Sequence, residues 1–385
     1  MKFPKISFGD EWNNLKKFEN LSDFERSIVF YAENEASMDH FGTLIFELTE
    51  RMNFQICYIT SVKNDPIFSS KNKNILSFYI GEGTPRTKFF LTLRAKILVM
   101  DMPDLDTYHI KRSKAYPVHY IYLFHSMFSI HSYLRKGALD NYDTIFCVGP
   151  HHVNEIRATE KLYGLKPKTI VNYGFGRLDT LLQEKEKFEK SDSNLKDLIL
   201  ITPSYGSENL LEKCGIELID TLLKSNFRVL LRPHFRILRD SKELVDSIKD
   251  KFGKNPNFIF EDGVIPSEYF HNSICMISDW SGISIEYAFT FECSVIFIDV
   301  PKKILNPDAD DLPLEPIEIS IRRKIGHIIS PKYIEKIPNI INNLGKNHEG
   351  IDKQIREICQ KTVLNIKNSS KIGAEYIQQL IDAKI

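Results

Sequence analysis

Long apolar runs are missing from this chain of 385 residues: none approaches the roughly 18 consecutive apolar positions that a membrane span requires. Paired cysteines are missing too. The six present (Cys57, Cys147, Cys214, Cys275, Cys293 and Cys359) include no Cys-x-x-Cys, which argues against a zinc module. Several sit inside apolar stretches, where a free thiol packs as a small hydrophobe, and a reducing compartment is expected. Neither sign of charge is in excess, with 51 basic against 51 acidic residues, so a protein that tracks nucleic acid by electrostatics is not expected. Residues 1–5 lead into Asp10-Glu11-Trp12 instead of an apolar signal core. The expected location is cytoplasmic, at most peripheral on the inner face of the membrane. Asp308, Asp310 and Asp311 lie close together, but a proline-flanked acidic loop reads as solvated, and neither a metal nor a cofactor is expected.

What is present begins with an ordinary globular composition, 42% apolar and 26% charged, on a chain longer than one core usually holds. Two domains are therefore expected. From residue 27 onward short apolar runs alternate with helical patterns. Runs at 27–32, 54–60, 75–80, 97–101, 119–124 and 144–149 read as strands. Phe41, Leu44, Ile45, Leu48 and Met52 form the apolar stripe of an amphipathic helix, and a further helix is expected at 132–139. The rhythm breaks at 183–196, whose charged and small polar residues read as a helix tail and an interdomain linker. It restarts with strands at 198–202, 227–231, 257–260, 274–277 and 295–298 and helices at 208–223 and 242–252. Such alternation predicts parallel sheets covered on both faces. The expected architecture is α/β: two Rossmann-like parallel-sheet domains, 1–185 and 186–330, facing each other across a cleft. Residues 331–385 are charged and helical, and are expected to pack back on the first domain.

The chain is organised around 274–289. Ile274, Cys275, Met276 and Ile277 suit a buried strand, Ser278-Asp279-Trp280-Ser281-Gly282 a polar turn, and Ile283 onward a helix. Such a turn directs main-chain N–H groups and the positive end of a helix dipole at one spot, which suits a phosphate or diphosphate. Glu286, one helical turn in, is placed to reach a ribose hydroxyl; the local alternative is a capped helix with a solvated Glu. Ligands bind beyond the carboxyl ends of such strands, and the other unusual polar residues fall there. His125-Ser126 follows 119–124, Pro203-Ser204-Tyr205-Gly206 follows 198–202, and Arg232-Pro233-His234 follows 227–231. Histidines at strand ends, one per domain, make His125 and His234 candidate catalytic residues. Gly174-Phe175-Gly176-Arg177-Leu178-Asp179 reads as a hinge, with glycines for a sharp turn and Arg177 paired to Asp179.

The order and spacing of these motifs, over roughly residues 27–300, resembles the CDP-glycerol glycerophosphotransferases. Those enzymes build teichoic-acid and related capsule polymers on a GT-B fold. Two stretches depart from the family pattern. It has His-Gly-Thr where this chain has His125-Ser126-Met127, and often Asp-Tyr-Ser-Ser where it has Asp279-Trp280-Ser281-Gly282. The Ser-Gly version is also similar to the diphosphate turn of nucleotide-sugar GT-B enzymes, including the UDP-N-acetylglucosamine 2-epimerases. The transferred group therefore stays open between glycerol phosphate, ribitol phosphate, another polyol phosphate and a sugar.

The resemblance implies transfer of a polyol phosphate from a CDP-activated donor to a hydroxyl of a cell-surface glycopolymer or lipid-linked acceptor, with release of CMP. His125 then takes the acceptor proton. Arg232, His234, Ser204, Ser278, Asp279, Ser281 and Gly282 hold the nucleotide diphosphate and Glu286 the ribose, although capping the helix is the plainer job for Asp279. One alternative is a GT-B glycosyltransferase using a UDP-sugar or CMP-Kdo. Another is a non-catalytic nucleotide-binding partner of a capsule-assembly complex, which the pair of histidines disfavours. A lipid-linked acceptor implies peripheral membrane contact, for which Arg322-Arg323-Lys324 and the lysine-rich tail are the basic candidates.

Overall fold

The structure, a computed structural model, describes residues 9–188, 196–263, 265–302, 305–344 and 348–383. The chain divides into two compact units. Met1–Asp179, Asp308–Leu312 and Val363–Ile385 form the first; Thr180–Pro307 and Pro313–Thr362 form the second. These borders differ from 185 and 330. Residues 331–362 belong to the second unit, and only the stretch from Val363 onward returns to the first.

The first unit carries β1 (Ile28–Ala32), β2 (Ile56–Thr60), β3 (Ile75–Tyr79), β4 (Ile97–Met100), β5 (His119–Leu123), β6 (Thr144–Cys147) and β7 (Thr169–Asn172). They form one parallel sheet in the order β3-β2-β1-β4-β5-β6-β7. β1, β2, β4 and β6 are buried along their whole length, which is why they read as uninterrupted apolar runs. β7 escaped the sequence reading because it is an edge strand with only Val171 buried. Helix Ser37–Phe46 follows β1 and buries Phe41, Leu44 and Ile45 against the sheet. The helix expected at 132–139 is instead the single turn Ile130–Tyr133, and Gly137 at φ +81° belongs to the irregular chain beyond it. The final helix, Ser369–Asp382, packs on helix Ser37–Phe46 and on β7 through Ala374 and Ile377.

The second unit carries β8 (Leu198–Thr202), β9 (Arg228–Leu231), β10 (Phe258–Phe260), β11 (Ser273–Ser278), β12 (Val295–Ile298) and β13 (Gly326–Ile329), parallel in the order β10-β9-β8-β11-β12-β13. β13, again a half-exposed edge strand, had no legible apolar run. Helix Ile283–Phe291 buries Ser284 through Thr290 without interruption. The expected linker begins as the end of helix Gly176–Phe188; its residues 189–195, like residues 1–5, lie outside the described residues. Arg322, expected in a lipid-facing basic run, is 5% exposed and lies over the Trp280 ring at 4.0 Å, with Asp299 at 3.6 Å; Arg323 and Lys324 are exposed. Among the described residues no helix is long and apolar enough to cross a membrane, and all six cysteines are buried free thiols.

Candidate active site

Strand order reverses between β1 and β4 in the first sheet and between β8 and β11 in the second, and at such switch points the flanking loops part to form a crevice. In the first unit, helix Ser37–Phe46 begins after β1, Asp101 follows β4 and His125 follows β5. His125 Nδ1 donates to the Asp101 main-chain carbonyl at 3.3 Å, and Ser37 Oγ donates to the Asp101 carboxyl at the same distance. The His40 ring lies 6.1 Å from His125 and 6.2 Å from Phe175, centroid to centroid. Burial lowers the His125 pKa against the opposing carbonyl bond, and the ring is neutral at neutral pH. Burial, then repulsion from His125 when that ring is charged and from Arg177, push His40 down to about 3. Burial pushes the Asp101 carboxyl up to about 7.

The loop that carries His125 is clamped from helix Pro150–Tyr163. His151 and His152 donate through Nε2 to the carbonyls of Met127 (2.9 Å) and Phe128 (2.8 Å), and Glu155 accepts the Ile130 N–H at 2.6 Å. Ser126 Oγ accepts the Phe128 N–H at 3.2 Å, tightening the turn behind His125.

The Gly174-x-Gly-Arg-x-Asp stretch does not close on itself. Arg177 pairs with Asp39 at 2.5 Å, and Asp179 accepts the N–H groups of Lys367 (2.6 Å) and Ser369 (3.1 Å). The expected Arg177–Asp179 pair fails because residues two apart on a helix point to different sides. Gly174 has φ +107°, and a Cβ there would meet the Leu364 carbonyl at 2.4 Å; one at Gly176 would meet Thr43 Oγ1 at 2.5 Å. The motif is a clasp for the returning chain end.

In the second unit Asp279, 1% exposed, spends its carboxylate on main chain. Oδ1 accepts from Ser204 and Trp280, both at 2.7 Å, and Oδ2 from Leu210 at 2.9 Å. Ser278, fully buried, donates to the Thr202 carbonyl at 2.7 Å. Both were expected on the donor; they instead tie β8's loop to β11's. They present the Ser281-Gly282 turn at the N-terminus of helix Ile283–Phe291, where the N–H groups of Ile285 and Glu286 turn back to the Gly282 carbonyl. The Ser281 carbonyl accepts from Ser284, while Glu286 is buried one turn in. Arg232 Nε donates to the Gly263 carbonyl at 3.2 Å. His234 Nδ1 accepts the Arg236 N–H at 3.2 Å and caps helix Phe235–Asp240, with the Tyr205 ring 4.7 Å away.

The profile of the CDP-glycerol:poly(glycerophosphate) glycerophosphotransferase family matches residues 18–297. The chain belongs to that family. It is a transferase of the CDP-glycerol glycerophosphotransferase kind, whose substrates are a CDP-glycerol donor and a glycopolymer acceptor. The match begins ahead of Ser37 and ends past Glu286, so it spans every site residue of both units. No curated protein matches. Among solved structures, the wall teichoic acid polymerase TagF, in a crystal soaked with CDPG, is similar with TM-score 0.62 at 14% identity, covering 97% of this chain and 94% of that one. The UDP-GlcNAc 2-epimerase from Neisseria meningitidis bound to UDP-GlcNAc gives 0.58 at 13%, covering 91% and 99%. That from Methanocaldococcus jannaschii with UDP-GlcNAc and UDP gives 0.57 at 15%, covering 92% and 99%. At these identities the likeness is one of fold, the GT-B-like pair of parallel-sheet domains. Within the glycerophosphotransferase pattern, Trp280 is seated by Nε1 donating to the Val300 carbonyl at 2.9 Å and by the Arg322 guanidinium on its face.

His40, Asp101 and Asn209 went unread. Asp101 is the first polar residue after an apolar run, the same signal that singled out His125. Asn209 caps the turn beginning at Leu211 by accepting its N–H at 2.8 Å. His40 carries no signal, since one histidine in an amphipathic helix reads as ordinary surface or core.

Proposed function

We propose that this glycerophosphotransferase moves glycerol phosphate, or a like polyol phosphate, from a CDP-polyol held by the second unit to a hydroxyl held by the first. The observation that carries the roles is the complementary wiring of the two histidines. His125 gives its Nδ1 proton to a carbonyl, which can only accept, so Nε2 keeps the lone pair of a general base. His234 Nδ1 accepts from Arg236, so in the neutral ring Nε2 carries the proton and serves as a donor to phosphate oxygens. His125 takes the acceptor's proton as the hydroxyl oxygen bonds to the donor's β-phosphorus. The bond from that phosphorus to the bridging oxygen breaks, and CMP leaves with the electron pair. Gly282 and Ile283 N–H groups, with Arg232, meet the growing charge.

The test is nucleotide release by the full chain: CMP from CDP-glycerol and CDP-ribitol, UDP from UDP-sugars. CDP-polyol turnover that falls about 10²–10⁴-fold in His125→Gln supports the reading. Turnover of UDP-sugars alone rejects it in favour of a sugar transferase. A peripheral membrane contact, through the exposed Arg323 and Lys324, is part of the same proposal; co-sedimentation with anionic but not neutral vesicles is the expected result.

A further inference from the structure

His40 and Asp101 have no role in the transfer just described, yet they sit at the switch point of the first sheet beside the proposed base. Both are buried, and His40 Nδ1 has no hydrogen-bond partner among the described residues. Buried polar atoms left unpaired cost free energy, and an orphan next to a reactive histidine points to a ligand group that pairs it. The Asp101 carboxyl meets the Ser37 hydroxyl, at a long 3.3 Å, and its own main chain, with no cation within ion-pair distance among the described residues. These two residues are built into one constellation with His125. Ser37 and His40 share the first turn of helix Ser37–Phe46, Ser37 binds the Asp101 carboxyl, and the Asp101 carbonyl orients His125.

We propose that His40 and Asp101 recognise the hydroxyl next to the reacting one on the acceptor's polyol end. The inference depends on the acceptor being bound by the first unit, as in the function proposed above. The chemistry selects a hydroxyl over a phosphate. A carboxyl partly ionised near neutral pH disfavours an anion, whereas a hydroxyl both donates and accepts, and so satisfies either group in either protonation state. A site that hydrogen-bonds a substrate hydroxyl rejects the analogue lacking it, because the protein groups are then stranded.

The probes are glycerol 3-phosphate and propane-1,3-diol monophosphate, which keeps the terminal hydroxyl and the phosphate but lacks the middle hydroxyl. The wild-type chain is expected to favour the first by about 10–100-fold in kcat/KM for CDP-glycerol-dependent transfer. His40→Ala and Asp101→Ala, each checked by melting temperature, are expected to bring that ratio near one, and His40→Asn, whose amide stands where Nδ1 does, to restore part of it. A purely structural role would lower turnover on both probes and leave the ratio unchanged, which overturns the proposal, as does a wild type that does not discriminate. Calorimetric binding of the same two probes decides the matter without turnover. If no transfer occurs but binding discriminates in the wild type and not in the variants, the transfer reading falls and the hydroxyl site stands. If binding does not discriminate, the hydroxyl site falls.

Discussion

Asp101 and His40 are both driven toward their neutral forms by burial, and at the residue scale this couples them to pH in opposite senses. The folded pKa of Asp101 is raised to about 7, chiefly by burial against the weaker help of Ser37. Its stabilisation is therefore complete below about pH 4 and lost as pH rises through about 7. His40 is lowered to about 3, so its contribution is present above about pH 6.5 and lost as pH falls toward 3. Between about pH 4 and 6.5 the two slopes cancel. Asp101→Asn removes one of them, so urea unfolding of this variant should gain on the wild type by a few kcal/mol between about pH 4.5 and 7.5. A constant difference across that range would show that Asp101 keeps an ordinary carboxylate pKa. Asp279 offers a second test. Asp279→Asn turns an acceptor of three main-chain N–H groups into one with a single acceptor oxygen, and should cost about 1–3 kcal/mol for each bond left unmade. Loss of nucleotide binding should accompany it, because the Ser281-Gly282 turn is held through Asp279.

At the scale of elements, the returning chain end depends on the clasp at Gly174 and Asp179. Asp179→Ala strands the Lys367 and Ser369 N–H groups at the head of helix Ser369–Asp382. Hydrogen exchange should accelerate along that helix and along β7, its neighbour in the first unit, while β8 to β12 remain protected. Gly174→Ala should do the same by a different route. It forces a Cβ into a positive-φ position and into the Leu364 carbonyl, where no flexible side chain is available to give way. Unchanged exchange in both variants would mean that apolar packing of Ala374 and Ile377 alone retains the helix.

The whole molecule carries its own probes of unfolding. Cys57 and Cys147 lie in the first unit, and Cys214, Cys275, Cys293 and Cys359 in the second, all buried and free. Burial also raises the thiol pKa of Cys57, Cys147, Cys214 and Cys275, so labelling near neutral pH should report exposure on unfolding. CMP at about a hundred times its dissociation constant adds roughly 2.7 kcal/mol to the body that binds it. The denaturant midpoint for labelling the four thiols of the second unit should therefore rise. A rise confined to Cys57 and Cys147 would place the nucleotide in the first unit and overturn the division of roles.

Much of this was legible because central strands of a parallel sheet are buried on both faces. β1, β2, β8 and β12 appear in the sequence as plain apolar runs, and the polar residues that end them mark the ligand side of each sheet. The edge strands β7 and β13, half exposed, left no such run. The central strands, the turn at 278–282, the histidines at strand ends and the transferase family were therefore determined by sequence alone, since each depends on residues adjacent along the chain. What each polar group does was decided only by tertiary structure. Asp279 serves Ser204 and Leu210, Asp179 serves a chain end about 190 residues away, Arg177 finds Asp39, and His40 comes to rest beside His125. The physical reason is that burial is recorded locally, in the side chain that must be buried, whereas a hydrogen bond is completed by whatever the fold brings within about 3 Å.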